Sequence, residues 1–256
     1  MQDNGAAVKI KWSIREVISS ALHTFAENWL PLMVAQVVLV GCFLVPVTVW
    51  GAMAGGAVLF GQRTIEAHEH ASLIVLGVTG GLTAIGCFTL FLMVWPSVLR
   101  MVVAAARGQR VRIADLFSRP FQRSGTLLVA SLLICLLLIA GFCVVIIGAV
   151  AVVLCTSMTF NFVVEDEQLS AWQSIKASWR MMRLHTTRYV LLLIAVAIPT
   201  FLFEAILGQS HWLTWAYLAF QLASTSFQWV VNATLYTRLR PLPAPLAAAE
   251  PVAATA

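Results

Sequence analysis

Long uninterrupted apolar runs dominate the chain and predict its architecture. Several exceed the roughly 20 residues that a spanning helix needs, and the run 127–154 lacks the apolar–polar alternation of a membrane β-strand. Because a bilayer core holds no water, backbone polar groups there must bond internally, which favours helices. The runs predict an all-α, polytopic transmembrane bundle of six spans, at about 30–60, 73–100, 126–145, 147–164, 189–207 and 212–236.

The stretch 126–164 is too long for one helix and too apolar for a loop, so a tight hairpin turning near 141–148 is predicted. Residues 1–240 then form one integral membrane domain. The Pro- and Ala-rich residues 241–256 predict a flexible cytoplasmic tail. The first 30 residues have no continuous apolar segment, which argues against a cleaved signal peptide.

Composition agrees with the membrane class and argues against an enzyme. Sixty per cent of the residues are hydrophobic and 11% are charged, whereas about 25% are charged in soluble domains. The five cysteines lie in apolar runs and match no zinc or redox spacing. No nucleophile stands beside an evident general base. We therefore expect no catalytic site, no metal and no cofactor.

The basic residues predict the orientation of the spans. With six spans, the N-terminal segment, the loops 100–124 and 165–188 and the C-terminus share one side. Of the 16 Lys and Arg residues, all but Arg63 lie on that side. Lys and Arg gather in cytoplasmic loops, so both termini are predicted to be cytoplasmic. The net charge of +5 then indicates contact with anionic lipid head groups rather than with nucleic acid.

The segment 169–183 has the pattern of a helix lying in the head-group layer. Leu169, Trp172, Ile175, Trp179 and Met182 are spaced 3, 3, 4 and 3 and are predicted to share one face, with the cations on another. The predicted lipid-contacting residues are Trp172, Lys176, Trp179, Arg180 and Arg183. Packing of these faces on the bundle is the alternative, and the two can coexist.

Two further segments have a related pattern and precede pairs of spans. Ile14, Ile18, Ala21 and Phe25 form a stripe before the first pair. The loop before the third span places Ile113, Phe117 and Phe121 beside Arg112, Arg119 and Arg123. Together with 169–183, they predict a threefold repeat of surface helix plus hairpin.

Short motifs in these stretches resemble a known family. They are Arg107-Gly-Gln-Arg-Val-Arg-Ile-Ala-Asp-Leu, Val163-Val-Glu-Asp-Glu, Ser174-Ile-Lys-Ala-Ser-Trp-Arg-Met-Met-Arg and Leu235-Tyr-Thr-Arg-Leu-Arg. Together they resemble the membrane domain that some glycerophosphoryl diester phosphodiesterases carry ahead of their catalytic barrel. That domain also occurs alone in bacterial six-span proteins of unassigned function. The resemblance implies a stand-alone protein of the bacterial plasma (inner) membrane, without phosphodiesterase activity because no barrel follows.

Polar residues inside the spans are the remaining candidates for function. Gln221, Thr225, Gln228 and Asn232 are spaced 4, 3 and 4, so they share one face of the sixth span. Polar groups facing lipid tails are costly, so this face is predicted to point inward. It serves either hydrogen bonds between helices or a hydrophilic path. Glu204, the one acid within an apolar span, is a second candidate.

Two functions follow as expectations. The first is a non-enzymatic membrane scaffold or accessory protein that contacts lipids, a partner membrane protein or a second copy of itself through its basic and aromatic cytoplasmic helices. The alternative is a small transporter or channel for a polar solute, which would use the stripe of the sixth span.

Overall fold

The structure is a computed structural model that describes residues 12–67, 69–117, 123–144, 146–207 and 214–240. In this part of the chain every regular element is helical, which confirms the predicted all-α class. The elements are α1 (Ile14–Ala67), α2 (Glu69–Ala106), a 3-10 helix (Ile113–Phe117), α3 (Ser124–Val144), α4 (Ile146–Thr156), α5 (Thr159–Glu165), α6 (Ala171–Arg183), α7 (Thr186–Leu207) and α8 (Thr214–Leu239). The predicted tail 241–256 lies outside the described residues.

Among the described residues, five helical stretches are long and apolar enough to cross a membrane. They are Ile14–Ala52, Gly77–Ala106, Ser124–Cys143, Gly148–Glu165 and Thr186–Phe203. These helices fit a multi-pass membrane protein. The 26-residue α8 is not among them because its polar side chains, such as Gln228 and Asn232, lower its hydropathy. The sixth span therefore stays a prediction.

A kink at Asn28 divides α1 into an N-terminal arm and a long apolar helix. Asn28 has φ −120° and ψ 19°, outside helical values. Pro31 lies three residues further on, and a proline removes the N–H that would bond the carbonyl four residues before it. The Asn28 side chain donates to the Thr24 carbonyl oxygen (3.1 Å) and accepts from the Val111 backbone N–H (3.2 Å). The kink is thus joined to the loop that follows α2.

The predicted hairpin region consists of α3 and α4, which approach closely at two glycines. A Cβ on Gly148 would lie 2.7 Å from the Gly141 carbonyl oxygen, and one on Gly141 would lie 2.9 Å from the Ala149 nitrogen. Only glycine fits both positions, since small residues allow helix backbones to meet. α3 ends at Val144 and α4 begins at Ile146.

The helix predicted over 147–164 is interrupted near its middle. α4 ends at Thr156 and α5 begins at Thr159. The Ser178 hydroxyl of α6 causes the break, because it accepts from the Met158 N–H (3.2 Å) and donates to the Cys155 carbonyl oxygen (2.7 Å). Side-chain bonds from a neighbouring helix replace the regular ladder at this point.

Buried side chains concentrate at the end of the bundle where α2, α5 and α8 terminate. The core there includes Val98, Met158, Phe162, Val230 and Tyr236. Towards the opposite ends of the helices, large apolar side chains are exposed, among them Val47, Leu82, Ile139 and Phe201. The tightly packed end is therefore the part of the fold that can hold polar groups in fixed positions.

Candidate functional site

Helix α6 is firmly attached at the packed end of the bundle. A capping box starts it: the Gln173 N–H donates to the Ser170 hydroxyl (3.3 Å), and the Ser170 N–H donates to the Gln173 side-chain oxygen (2.9 Å). One face, with Ile175, Ser178 and Met182, is buried. The bonds of Ser178 to the break between α4 and α5 fix that face, so the opposite face of α6 is presented in a defined direction.

The exposed face of α6 mixes tryptophan and basic side chains. Trp172, Lys176, Trp179, Arg180 and Arg183 are all exposed. The Lys176 ammonium lies 5.3 Å from the ring centroid of Trp172, a cation–π contact. We call the stripe Trp172, Lys176, Trp179 and Arg183, spaced 4, 3 and 4, the Trp-cation face. All five residues predicted as lipid contacts are therefore open at this surface.

The predicted apolar face of α6 is buried only in part. Ile175 and Met182 are buried, whereas Trp172 and Trp179 stand on the exposed side with the cations. The helical angle explains this. At 3.6 residues per turn, Trp172 is about 40° from Lys176 and about 60° from Ile175, whereas Trp179 is about 40° from both Ile175 and Arg183. The tryptophans therefore lie at the boundary of the apolar stripe, and packing on α4 and α5 leaves them outside.

An ion-pair network joins the ends of α2, α5 and α8 beside α6. We call Arg107, Glu165, Asp166, Tyr236 and Arg240 the Glu165 network. The Arg107 guanidinium donates to Glu165 Oε1 through Nε (2.6 Å) and through a second nitrogen. The Tyr236 hydroxyl donates to Glu165 Oε2 (2.5 Å). Arg240 donates to the Tyr236 hydroxyl (3.0 Å) and to Asp166 Oδ2 (2.8 Å).

Both carboxylates of the network therefore accept charge-assisted hydrogen bonds. The bond from Arg240 holds the pKa of Asp166 below its ordinary value, although partial burial acts against it, and the Gln168 N–H adds to the lowering. Arg240 also stacks on the Phe162 ring, 5.0 Å from its centroid. The network thus holds its charged groups in fixed positions at the packed end of the bundle.

Arg123 holds the segment between α5 and α6. Its guanidinium donates to the carbonyl oxygens of Val163 (3.1 Å), Asp166 (2.7 Å), Glu167 (2.7 Å) and Leu169 (2.6 Å). Those carbonyls include groups left without partners where α5 ends. Arg123 has φ +68°, a conformation unusual for a residue other than glycine. The Arg123 guanidinium thus stabilises backbone carbonyl groups of its own chain.

The Glu165 network was not recognised among the sequence candidates. Its residues lie in three of the four motifs that resemble the phosphodiesterase membrane domain: Arg107 in the first, Glu165 and Asp166 in the second, Tyr236 and Arg240 in the fourth. The available signal was an acidic pair directly after an apolar run, with short basic motifs elsewhere in the chain.

The polar stripe of α8 does not point inward as a whole. Gln221 donates to the Tyr217 hydroxyl of its own helix (2.9 Å), and Asn232 accepts from the Tyr189 hydroxyl of α7 (2.9 Å). Thr225 is half-buried, and Gln228 is exposed. The predicted inward position is therefore wrong for Gln228.

Another face of α8 makes the interior contacts. Ser226, Val230 and Ala233 are buried there. Two of these side chains are small, which allows neighbouring helices to come close. Glu204, the other intramembrane candidate, belongs to α7, but its side chain lies outside the described part of the structure.

No family model matches the chain, and no curated protein or solved structure matches it either. The family resemblance of the motifs thus stays a prediction.

Proposed function

We propose that this chain is a six-span protein of the bacterial plasma membrane, with both termini in the cytoplasm. In this proposal α8 is the sixth span, and the packed end of the bundle faces the cytoplasm. The protein is a membrane scaffold or accessory protein without catalytic activity, which contacts anionic lipids through the Trp-cation face of α6. The transporter alternative stays a prediction, tested by flux into liposomes.

The Trp-cation face is the observation that carries this proposal. Tryptophan prefers the boundary between lipid and water, and each basic residue near an anionic surface contributes about 1 kcal/mol of attraction. An exposed surface that carries both tryptophans and cations matches the head-group layer, because aromatic rings and basic side chains are each favoured there. Because the buried side of α6 is bonded to α4 and α5 through Ser178, this contact also fixes the bundle relative to the lipid surface.

Spin labels measure the depth of this face directly. Trp172→Cys and Trp179→Cys, each in a cysteine-free background, are labelled in bilayers that contain phosphatidylglycerol. We expect both labels at head-group depth, more accessible to oxygen and less accessible to a water-soluble nickel complex than a label at the exposed loop residue Gln168. Labels at 172 and 179 as accessible to nickel as the one at 168 would exclude the lipid contact.

Charge reversal tests the part played by the cations. The triple variant Lys176→Glu, Arg180→Glu and Arg183→Glu is expected to move the labels towards water in anionic bilayers and to have little effect in phosphatidylcholine. The orientation has its own test. A cysteine placed at Arg112 is expected to be protected from an impermeant thiol reagent in intact cells, and rapid labelling there would reverse the topology.

A further inference from the structure

A cavity of about 310 Å³ lies between the last turns of α2 and the loop that leads into the 3-10 helix. Its lining includes two arginines, Arg100 and Arg110, together with Gln109, Ser97 and Asp115. The volume lies at the lower end of the range typical of small-ligand sites. Neither the Trp-cation face nor the Glu165 network contributes a residue to this lining.

The charges around the cavity favour an anion. Arg100 and Arg110 bring two positive charges and Asp115 one negative charge, so the lining is net positive. Asp115 is already engaged, because its Oδ2 accepts from the Arg112 backbone N–H (2.7 Å) at the start of the 3-10 helix. Arg100 and Gln109 also have interactions of their own within the chain. Each guanidinium carries five N–H donors, so the two arginines still offer donors that match the oxygens of a phosphate group.

Ser97 supplies an independent observation. It borders the cavity and is 2% exposed, and among the described residues its hydroxyl has no hydrogen-bond partner. Buried polar atoms in proteins are nearly always paired, so an unpaired one indicates a missing partner. A phosphate oxygen seated against Ser97 would provide it.

The rim of the cavity points to a lipid as the source of that phosphate. The 3-10 helix is held by Leu116, which is buried, while Ile113 and Phe117 on the same short helix are exposed. Apolar side chains beside a cationic cavity gain nothing from a free anion in water, but in a membrane they contact acyl chains. The 3-10 helix thus places apolar side chains for the acyl chains next to the cationic cavity for the phosphate, and a phospholipid needs both contacts.

We propose that this cavity binds the phosphate of an anionic phospholipid head group, with Ile113 and Phe117 in contact with its acyl chains. The proposal deepens the lipid-contacting function by adding a stoichiometric site. It rests on that function only in placing this end of the bundle at the head-group layer, and it uses different residues.

The test uses the full chain purified in a neutral detergent. Bound lipid is counted by native mass spectrometry, and the shift in thermal unfolding is followed with added phosphatidylglycerol, phosphatidylcholine or inorganic phosphate. We expect one retained phosphatidylglycerol and a concentration-dependent rise of the unfolding temperature. Phosphatidylcholine and inorganic phosphate are expected to give much smaller rises.

Two neighbouring arginines form a matched pair of variants. Arg110→Gln removes a cation from the cavity lining and is expected to weaken phosphatidylglycerol binding roughly tenfold. Arg112→Gln removes the same charge from an exposed position two residues away, outside the lining, and is expected to leave the affinity unchanged. Equal losses in both variants would mean diffuse surface attraction and would overturn the site.

Further variants separate the source of the phosphate and guard against misfolding. Ser97→Ala removes an unpaired hydroxyl, so the lipid-free protein is expected to keep its stability while its affinity falls. Ile113→Ser with Phe117→Ser is expected to weaken phosphatidylglycerol binding without affecting inorganic phosphate. If inorganic phosphate stabilises as strongly as the lipid and this double variant changes nothing, the site takes a free anion and the lipid assignment is wrong.

The results that would reject this cavity differ from those that would reject the proposed function. Loss of the retained lipid in the triple variant of α6, with Arg110→Gln unaffected, would reject the cavity and leave the Trp-cation face standing. Spin labels at 172 and 179 in water, with the two arginine variants still different, would reject the Trp-cation face and leave the cavity standing.

Discussion

The Glu165→Gln substitution should measure how strongly the Glu165 network holds the three helix ends together. Glutamine keeps the shape of the side chain and can still accept from the Tyr236 hydroxyl, but it removes the charge that pairs with Arg107. The Arg107 and Glu165 side chains are only 14% and 20% exposed. Removal of one partner of a buried ion pair costs about 3–5 kcal/mol, and this residual exposure reduces the expected loss to about 2–3 kcal/mol.

A second ion pair in the same protein provides the control. Arg238 and Glu16 lie 3.2 Å apart, but their side chains are 35% and 61% exposed. Exposed pairs contribute about 0–1 kcal/mol, so Glu16→Gln should change stability by less than about 1 kcal/mol. The two substitutions remove the same charge by the same chemistry, so the difference between them reports the greater burial of Glu165 together with its larger number of donors.

The assay is reversible unfolding with dodecyl sulfate in mixed micelles, followed by tryptophan fluorescence. A double-mutant cycle with Arg107→Met isolates the pair, and we expect a coupling of about 1–2 kcal/mol. If Glu165→Gln costs no more than Glu16→Gln, or the coupling is near zero, then the network does not stabilise the packed end and the reasoning from burial is refuted.

Three further predictions follow from single contacts. Gly148→Ala should destabilise the hairpin strongly, because its Cβ would lie 2.7 Å from a carbonyl oxygen, whereas Gly125→Ala, with nothing within 4 Å, should be neutral in the same unfolding assay. Tyr189→Phe should cost about 0.6 kcal/mol through the lost bond to Asn232, and a cost above about 2 kcal/mol would mean further contacts. The pKa of Asp166 is lower in the folded protein than its ordinary value of 3.8. The Asp166 carboxylate therefore stabilises the fold at pH values above 3.8, and this stabilisation is lost as the pH falls below 3.8. Asp166→Asn should therefore flatten the loss of stability below that pH, and an unchanged acid profile would contradict the assignment.

The helices could be predicted from the sequence because local apolar runs determine them. The contacts that shape the packed end could not, because they join distant parts of the chain. Glu165 lies 58 residues from Arg107 and 71 residues from Tyr236, and no periodicity relates them. The break between α4 and α5 has the same origin, since Ser178, in another helix, replaces the backbone bonding.

The other predictions that differ from the structure concern which face of a helix points inward. Spacing predicted one shared side of α8 for Gln221, Thr225, Gln228 and Asn232, but it could not say which side meets α1 and α2. Ser226 and Ala233, which are buried, offered a competing signal, because small residues mark helix contacts in membranes. In α6, likewise, packing on α4 and α5 decided that Trp172 stays outside.

The residues of the Glu165 network are synthesised at different times. Arg107 precedes Glu165 in the chain and is available to it from the start, but Tyr236 follows Glu165 by 71 residues. At about 5–20 residues per second, translation reaches Tyr236 about 4–14 s later. During that interval one oxygen of each carboxylate, Glu165 Oε2 and Asp166 Oδ2, lacks its donor from the end of α8. The network is therefore complete only after the end of α8 has been synthesised and has packed against α2 and α5.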